Sequence, residues 1–142
     1  MTIKEIENQI IEEFSVFDEW MDKYQYIIDL GKQLTLIDEK EKTEENLIKG
    51  CQSRVWLCCK EEEGKLFFFA DSDAIITKGI ISLLIRVFNG QTAEDILNAD
   101  LNFIKEIGLE SNLSPTRSNG LLSMIKQIKL YALAYKEKNK NN

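Results

Sequence analysis

The 142-residue chain contains no histidine. This absence excludes Ser-His-Asp and Cys-His catalysis, and it removes imidazole as a metal ligand. A cysteine of this chain must therefore react without an imidazole base from the same chain. Basic residues are also in the minority, since 18 Lys and Arg stand against 24 Asp and Glu, for a formal net charge of −6. Because nucleic-acid binding needs a basic surface, we expect no nucleic-acid partner.

Long apolar runs and an export signal are missing as well. No stretch approaches the ~18 apolar residues that a membrane span requires, so we expect no membrane association. The opening residues, MTIKEIENQI, lack the basic and apolar regions of a secretory signal. Three cysteines, an odd number, do not suit a disulfide framework. These features predict a protein of the reducing cytoplasm.

The hydrophobic periodicity predicts an α+β fold in which helices pack on a small antiparallel β-sheet. Thr2 and Glu5 form a capping-box pattern at the start of the first helix, and Ser15 is the predicted N-cap of the second. Two extended runs flank an EEEG turn, which predicts a hairpin. The predicted segments are a helix over 16–32, an exposed loop over 38–46, strands over 53–60 and 65–70, helices over 74–88, 92–98 and 100–107, and a long helix that starts at Ser114-Pro115. We expect one domain over residues 1–135 and a frayed polar tail over 136–142.

The three cysteines stand in the eleven-residue stretch KGCQSRVWLCC. Cys58 and Cys59 are neighbours in a predicted strand, so they point to opposite faces and are interpreted as packing residues. Cys51 precedes the strand, follows Gly50 and fits no apolar stripe, which makes it the candidate reactive thiol. Arg54 and the loop N–H groups are expected to lower its pKa. Because the chain has no histidine, the reactions expected of Cys51 are sulfur transfer and redox exchange, which need only a thiolate and an accessible target sulfur.

Three blocks of the chain resemble successive blocks of the SufE family, in the family's order and at its spacing. They are TEENLIKGCQSRVWL (43–57), ADSDAIITKGIISLLIRVFNGQTAEDIL (70–97) and LSPTRSNGLLSMIKQI (113–128). SufE proteins are sulfur acceptors for the pyridoxal-phosphate cysteine desulfurase SufS. The resemblance implies an α+β fold similar to IscU-type scaffolds. It also implies a sulfur-transfer partner and activator that binds no cofactor directly and is not itself an enzyme. The paralogue CsdE, which serves another desulfurase, shares these blocks.

The resemblance assigns roles to individual residues. Cys51 is implied to be the persulfide acceptor, which passes its sulfur to a SufBCD-type scaffold that assembles iron–sulfur clusters. A homodimer is left open. The residues implied to support the acceptor loop or to dock the partner are Gly50, Gln52, Ser53, Arg54, Asp71, Asp73 and Arg117. We further expect the Cys51 side chain to lie under its loop in the free protein, because an exposed persulfide is easily lost to reductants.

Other interpretations of the same residues remain open from the sequence alone. Asp71 and Asp73 also suit a turn and a helix N-cap, and Arg117 also suits an exposed position in a first helical turn. An IscU-like iron–sulfur or zinc scaffold is the alternative function, although it needs three or four converging ligands. A cysteine enzyme such as a thiol peroxidase is a third hypothesis.

Overall fold

A computed structural model describes residues 1–140 of the chain. Within these residues the chain forms helices and a single hairpin, with short 3₁₀ turns at Glu39–Glu41 and Glu44–Asn46 ahead of the hairpin. The elements, in chain order, are α1 Ile3–Phe14, α2 Trp20–Gly31, β1 Val55–Glu62, β2 Lys65–Ser72, α3 Ile75–Phe88, α4 Ala93–Leu97, α5 Phe103–Glu106, α6 Leu109–Asn112 and α7 Pro115–Lys140. The predicted α+β class is confirmed.

The hairpin is antiparallel, with Val55 opposite Ser72 and Glu62 opposite Lys65. The outer edge of β1 is covered by α7, whose tyrosine hydroxyls at positions 131 and 135 each donate at 3.0 Å to the carbonyls of Leu57 and Cys59. These two hydrogen bonds occupy carbonyls on the edge of β1, which could otherwise pair with a strand of another chain. The hairpin is thereby fixed against α7, which also carries part of the candidate site.

Helices α2 and α3 cross through a pair of glycines that the sequence patterns did not identify. A Cβ placed on Gly79 would lie 2.1 Å from the carbonyl oxygen of Ile27, and one on Gly31 would lie 2.9 Å from the backbone nitrogen of Gly79. Such distances are impossible for a side chain, so only glycine permits this approach. The crossing fixes the position of α3, whose first turn forms one wall of the site described below.

The buried apolar side chains form one cluster that draws on α1, α2, both strands, α3 and α7. Its largest fully buried members are Phe14, Phe68, Phe88 and Phe103. Burial of this many large side chains supplies the main stabilising term of the fold. Among the described residues, no helix is both long enough and apolar enough to cross a bilayer. The single domain over residues 1–135 stays a prediction.

The N-terminal region confirms one predicted cap and corrects another. The capping box of α1 is present, with the Glu5 N–H donating to Thr2 Oγ1 at 3.1 Å and the Thr2 N–H donating to Glu5 Oε1 at 2.9 Å. The prediction that Ser15 caps α2 is wrong. Its hydroxyl donates to the Glu12 carbonyl at 2.6 Å, so Ser15 ends α1 and α2 begins only at Trp20. Ser15 lies four residues before Glu19, the N-cap position of α2, so its hydroxyl is not placed to accept from the first N–H groups of that helix.

The C-terminal half differs from prediction at two points. The helix predicted over 100–107 is shorter, and after Gly108, which has φ of 90°, a further short helix, α6, follows. The predicted frayed tail is helical through Lys140, because α7 continues without Pro or Gly and Asn139 Nδ2 donates to Glu61 Oε2 at 2.6 Å. Residues 141–142 of that tail lie outside the described residues.

Candidate functional site

Cys51 lies in the segment that leads into β1, where it is half-buried against the core cluster. Its thiol donates to the Gly120 carbonyl of α7, with 3.5 Å between Sγ and O. The side chain thus lies under its loop, as the sequence predicted for the free protein. A thiol in this position is shielded from bulk oxidants and reductants, because access to the sulfur is limited.

Gly50 sets the backbone that places Cys51 in this position. Its φ of +94° is a left-handed value that side chains disfavour, and a Cβ would lie 2.3 Å from Ser123 Oγ. The left-handed backbone favours glycine, and an added Cβ would force the Ser123 hydroxyl to move. Gly50 therefore supports the loop through conformation and close packing.

Cys51 borders a cavity of about 120 Å³ that lies between the loop, α3 and α7. Gly120 forms part of its wall, and a Cβ there would lie 3.6 Å from Cys51 Sγ, an ordinary contact. The apolar lining residues are Ala74, Ile76, Ile80 and Met124. The polar lining residues are Gln52, Ser53, Thr77, Thr116 and Arg117.

The cavity wall includes the first turns of two long helices. Thr77 belongs to the start of α3, a 14-residue helix, and Thr116 belongs to the start of α7, a 26-residue helix. A helix N-terminus carries partial positive charge and N–H groups without intrahelical acceptors. In α7 one of these N–H groups, that of Arg117, donates to Ser114 Oγ at 3.3 Å. The predicted cap of α7 is thus in place.

The thiol pKa of Cys51 is shifted in the direction opposite to the prediction. Burial raises it above the ordinary value. The expectation that Arg54 and the loop amides lower it is wrong for the isolated protein, because the Arg54 side chain is exposed and does not line the cavity. The free thiol is therefore protonated at neutral pH and weakly nucleophilic.

Arg54 and Asp73 form a latch between the loop and the turn before α3. The Arg54 N–H donates to Asp73 Oδ1 at 3.1 Å, and the Asp73 N–H donates to the Arg54 carbonyl at 3.3 Å. The reciprocal pair holds the end of the Cys51 loop against the start of α3. Asp73 thus supports the loop and does not line the cavity.

Asp71 is the centre of an ion-pair network away from the thiol. It accepts from Lys42 Nζ at 2.7 Å, from the Ser72 N–H at 2.8 Å, and pairs with Lys78 Nζ at 3.3 Å. Burial opposes ionisation of its carboxyl, but these three donors together lower its pKa below the usual value. Lys42 belongs to the predicted exposed loop over 38–46, and its side chain is only 18% exposed. Asp71 joins that segment to β2 and α3.

Arg117 is exposed at the rim of the cavity, where its guanidinium lies 5.8 Å from the centre of the Tyr24 ring. The cation–π contact orients the group without burying it. The structure therefore gathers Gln52, Ser53 and Arg117 around Cys51, and it leaves the two acidic residues in supporting positions.

The strand cysteines have different surroundings. Cys58 is 9% exposed and donates to Glu41 Oε2 at 3.4 Å. Burial, followed by this hydrogen bond, raises its pKa to about 12. Burial, followed by the neighbouring Cys58, raises the pKa of Cys59 to about 12. Both features agree with the interpretation of these cysteines as packing residues.

Several wall residues were not identified as site residues from the sequence. Thr77 and Met124 lie in amphipathic helices, where the sequence pattern predicts only that an inward-facing residue packs in the core. Gly120 did carry a signal, since a glycine early in a helix indicates close packing or a backbone approach. Among residues 1–140 no three His, Cys, Asp or Glu side chains lie close enough together to hold a metal ion. The described residues therefore do not supply the ligand set that the IscU-like scaffold alternative needs.

The comparisons with known proteins point in one direction. Residues 8–132 match the family model SufE, described as an Fe-S metabolism associated domain. An uncharacterized SufE-like protein of Rhizobium meliloti is 42% identical over 127 residues, which cover 86% of this chain and 91% of the relative. A second, from Rhizobium etli, is 40% identical, with 86% of each chain covered. The solution structure of a hypothetical protein from Thermus thermophilus has a TM-score of 0.75 at 19% identity, covering 91% of this chain and 94% of that one, and it supports the fold alone.

Proposed function

This chain belongs to the SufE family, and from that premise we propose that Cys51 accepts sulfur from a cysteine desulfurase. Membership of the family implies involvement in Fe-S metabolism and sulfur transfer. The single observation that carries the assignment to Cys51 is its position. Within residues 1–140, Cys51 lines the cavity between its loop, α3 and α7, and neither strand cysteine lines that cavity.

The proposed reaction is a thiol–persulfide exchange. The Cys51 thiolate attacks the outer sulfur of a persulfide on the desulfurase cysteine, and a bond forms between Sγ and that sulfur. The sulfur–sulfur bond on the desulfurase breaks, and its electron pair stays with the desulfurase cysteine as a thiolate. No external oxidant or reductant is consumed. Cys51 then carries a persulfide, and no histidine takes part.

The raised pKa of Cys51 gives docking a role in this reaction. In the isolated protein the thiol is protonated, half-buried and bonded to Gly120. A partner that releases the loop would bring the sulfur into water, where the pKa returns toward its ordinary value and the thiolate fraction rises. The Arg54–Asp73 latch is the contact that such an opening would strain.

We further propose SufS as the desulfurase and a SufBCD-type scaffold as the receiver of the sulfur. Stimulation of the desulfurase follows if transfer to Cys51 empties its persulfide faster than an external reductant does. The chain itself is not proposed to be an enzyme or to hold pyridoxal phosphate, which belongs to the desulfurase. A CsdE-type role would use the same chemistry with a different desulfurase.

The test measures sulfide release by a desulfurase of the SufS type, supplied with L-cysteine, pyridoxal phosphate and a reductant. Wild-type protein is expected to raise turnover, and Cys51→Ser is expected to leave it at the level of the desulfurase alone. The matched controls, Cys58→Ala and Cys59→Ala, should keep most of the stimulation. A strand variant that loses the effect while Cys51→Ser retains it would overturn the assignment.

A further inference from the structure

The first turn of α3 has donors without acceptors. Its N-cap residue, Ala74, has no side chain that could accept a hydrogen bond. Within residues 1–140, the backbone N–H groups of Ile76 and Thr77 have no hydrogen-bond acceptor, although both residues line the Cys51 cavity. Since buried N–H groups are normally paired, these two groups are available to a bound acceptor.

Thr77 supplies a second and independent observation. The residue is 8% exposed, and its hydroxyl makes no hydrogen bond to any other described residue. A helical threonine can donate to the carbonyl three or four residues earlier, and Thr77 does not. No fully enclosed side-chain oxygen or nitrogen of the described residues lacks a partner, so this hydroxyl keeps access to the cavity. A hydroxyl that is accessible and has no protein partner is free to bond to water or to a ligand.

The charge around the cavity favours an anion. The protein has 24 acidic residues and a net charge of −6, yet no carboxylate lines this cavity within the described part of the chain. Its charged lining residue is Arg117. The N-terminal ends of α3 and α7 add partial positive charge on two sides.

We propose that the cavity binds the terminal sulfur of the Cys51 persulfide as an anion, held by the Thr77 hydroxyl and the first-turn N–H groups of α3. This inference rests on the proposed function, which places a persulfide on Cys51. The space suffices, since about 120 Å³ exceeds the roughly 30 Å³ of one water molecule in the liquid. The cavity therefore has room for the sulfur atom that loading adds.

The contacts of the free thiol explain why loading changes the position of the sulfur. The Cys51 S–H donates to the Gly120 carbonyl in the free protein. Once Sγ carries a second sulfur it has no hydrogen to donate, and that bond is lost. The terminal sulfur is an acceptor when it is ionised, and the donors that line the cavity include those at the start of α3. Loading therefore replaces the hydrogen bond that Cys51 donates to the Gly120 carbonyl with one that its terminal sulfur accepts from the Thr77 hydroxyl.

The test loads Cys51 with inorganic polysulfide, so that no desulfurase is involved. The Cys51 thiolate attacks a polysulfide sulfur, a shorter polysulfide or hydrosulfide leaves, and a persulfide results. Intact-mass measurements then follow its loss in dithiothreitol. Thr77→Val removes the hydroxyl with little change in shape, and we expect the persulfide to be lost about tenfold faster, because a hydrogen bond to a charged group is removed. Thr77→Ser should restore the wild-type rate, and Thr43→Val, at an exposed threonine that does not line the cavity, should change it little.

Equal rates for wild type and Thr77→Val would overturn the site, as would equally fast loss in Thr77→Val and Thr77→Ser, which would indicate packing alone. The wild-type protein provides a second measurement that needs no variant. Ultraviolet absorbance follows the ionisation of its persulfide as the pH is raised. We expect this ionisation at lower pH in the folded than in the denatured protein, and ionisation at higher pH in the folded protein would contradict the inference. The polysulfide-loaded wild type and Thr77→Val could differ in persulfide lifetime although no desulfurase transfers sulfur to Cys51. That combination would support the site and reject the proposed function.

Discussion

The loop thiol and the two strand thiols lie within nine residues of one another, and their environments differ in kind. Cys51 follows a left-handed glycine and borders a cavity without carboxylates between two helix N-termini. Cys58 is enclosed and bonded to a carboxylate, and Cys59 is part of the same regular strand. A strand fixes side chains at its own spacing, whereas a glycine-led loop can change the position of one sulfur. The difference lies in backbone freedom and neighbouring charge, since burial raises all three pKa values.

The largest expected difference between the two regions is in alkylation. With a pKa of about 12 for Cys58 and Cys59, about one strand thiol in ten thousand is ionised at pH 8. We expect iodoacetamide to modify Cys51 at least about 100-fold faster than either strand thiol in the folded protein. Peptide mass spectrometry over time measures the three rates, and denaturant should make them similar. Equal rates in the folded protein would remove the distinction between the regions.

A substitution at Gly50 should change the loop without touching the strand. Gly50→Ala places a methyl group on Ser123 Oγ in a left-handed backbone, so we expect the loop to move and Cys51 to be alkylated about tenfold faster. The free energy of unfolding should fall by about 2 kcal/mol. Gly64→Ala is the matched control, because Gly64 has φ of +79° but no atom within 4 Å of the added methyl. It should cost about 1 kcal/mol and leave all three thiol rates unchanged.

If Gly50→Ala destabilises the protein no more than Gly64→Ala and leaves Cys51 protected, the packing of Gly50 on Ser123 has no role in holding the loop. Denaturant unfolding and alkylation on the same samples separate the two effects.

The smallest expected effect is a pH dependence of stability from the strand. The folded pKa of Cys58 lies above the unfolded value near 9, so its contribution is full below pH 9 and is lost as the pH rises toward 12. Between pH 9 and 11 wild type should therefore lose more stability than Cys58→Ala, by on the order of 1 kcal/mol. Denaturant midpoints at several pH values measure the difference. Parallel curves would show that the thiol stays close to its ordinary pKa.

Local patterns predicted much of the fold. The capping box at Thr2, the hairpin, the end of the helix predicted over 74–88 and the Ser114-Pro115 start all depend on neighbours within four residues, and the structure has each of them. The wrong cap at Ser15 has the same origin, since the pattern does not say which of two helices uses the hydroxyl. The glycine crossing of α2 and α3 depends on contacts 48 residues apart, which no local pattern contains.

The candidate site was predictable only in part. The loop motif singled out Cys51 and its neighbours in sequence, but the direction of its pKa depends on burial by α7, which lies 69 residues away at Gly120. Asp71 was identified from its motif, yet its partner Lys42 comes from a charged segment that read as solvent-exposed. Thr77 had no pattern of its own, because an inward residue on an apolar helix is indistinguishable from core until the cavity is seen.

The most direct test is the location of the transferred sulfur after incubation with a cysteine desulfurase and L-cysteine. Trypsin cleaves after Lys49, Arg54 and Lys60, so Cys51 falls in GCQSR and both strand thiols fall in VWLCCK. After alkylation of the thiols and persulfides, we expect one additional sulfur on GCQSR and none on VWLCCK. Additional sulfur on VWLCCK, with GCQSR unmodified, would contradict it.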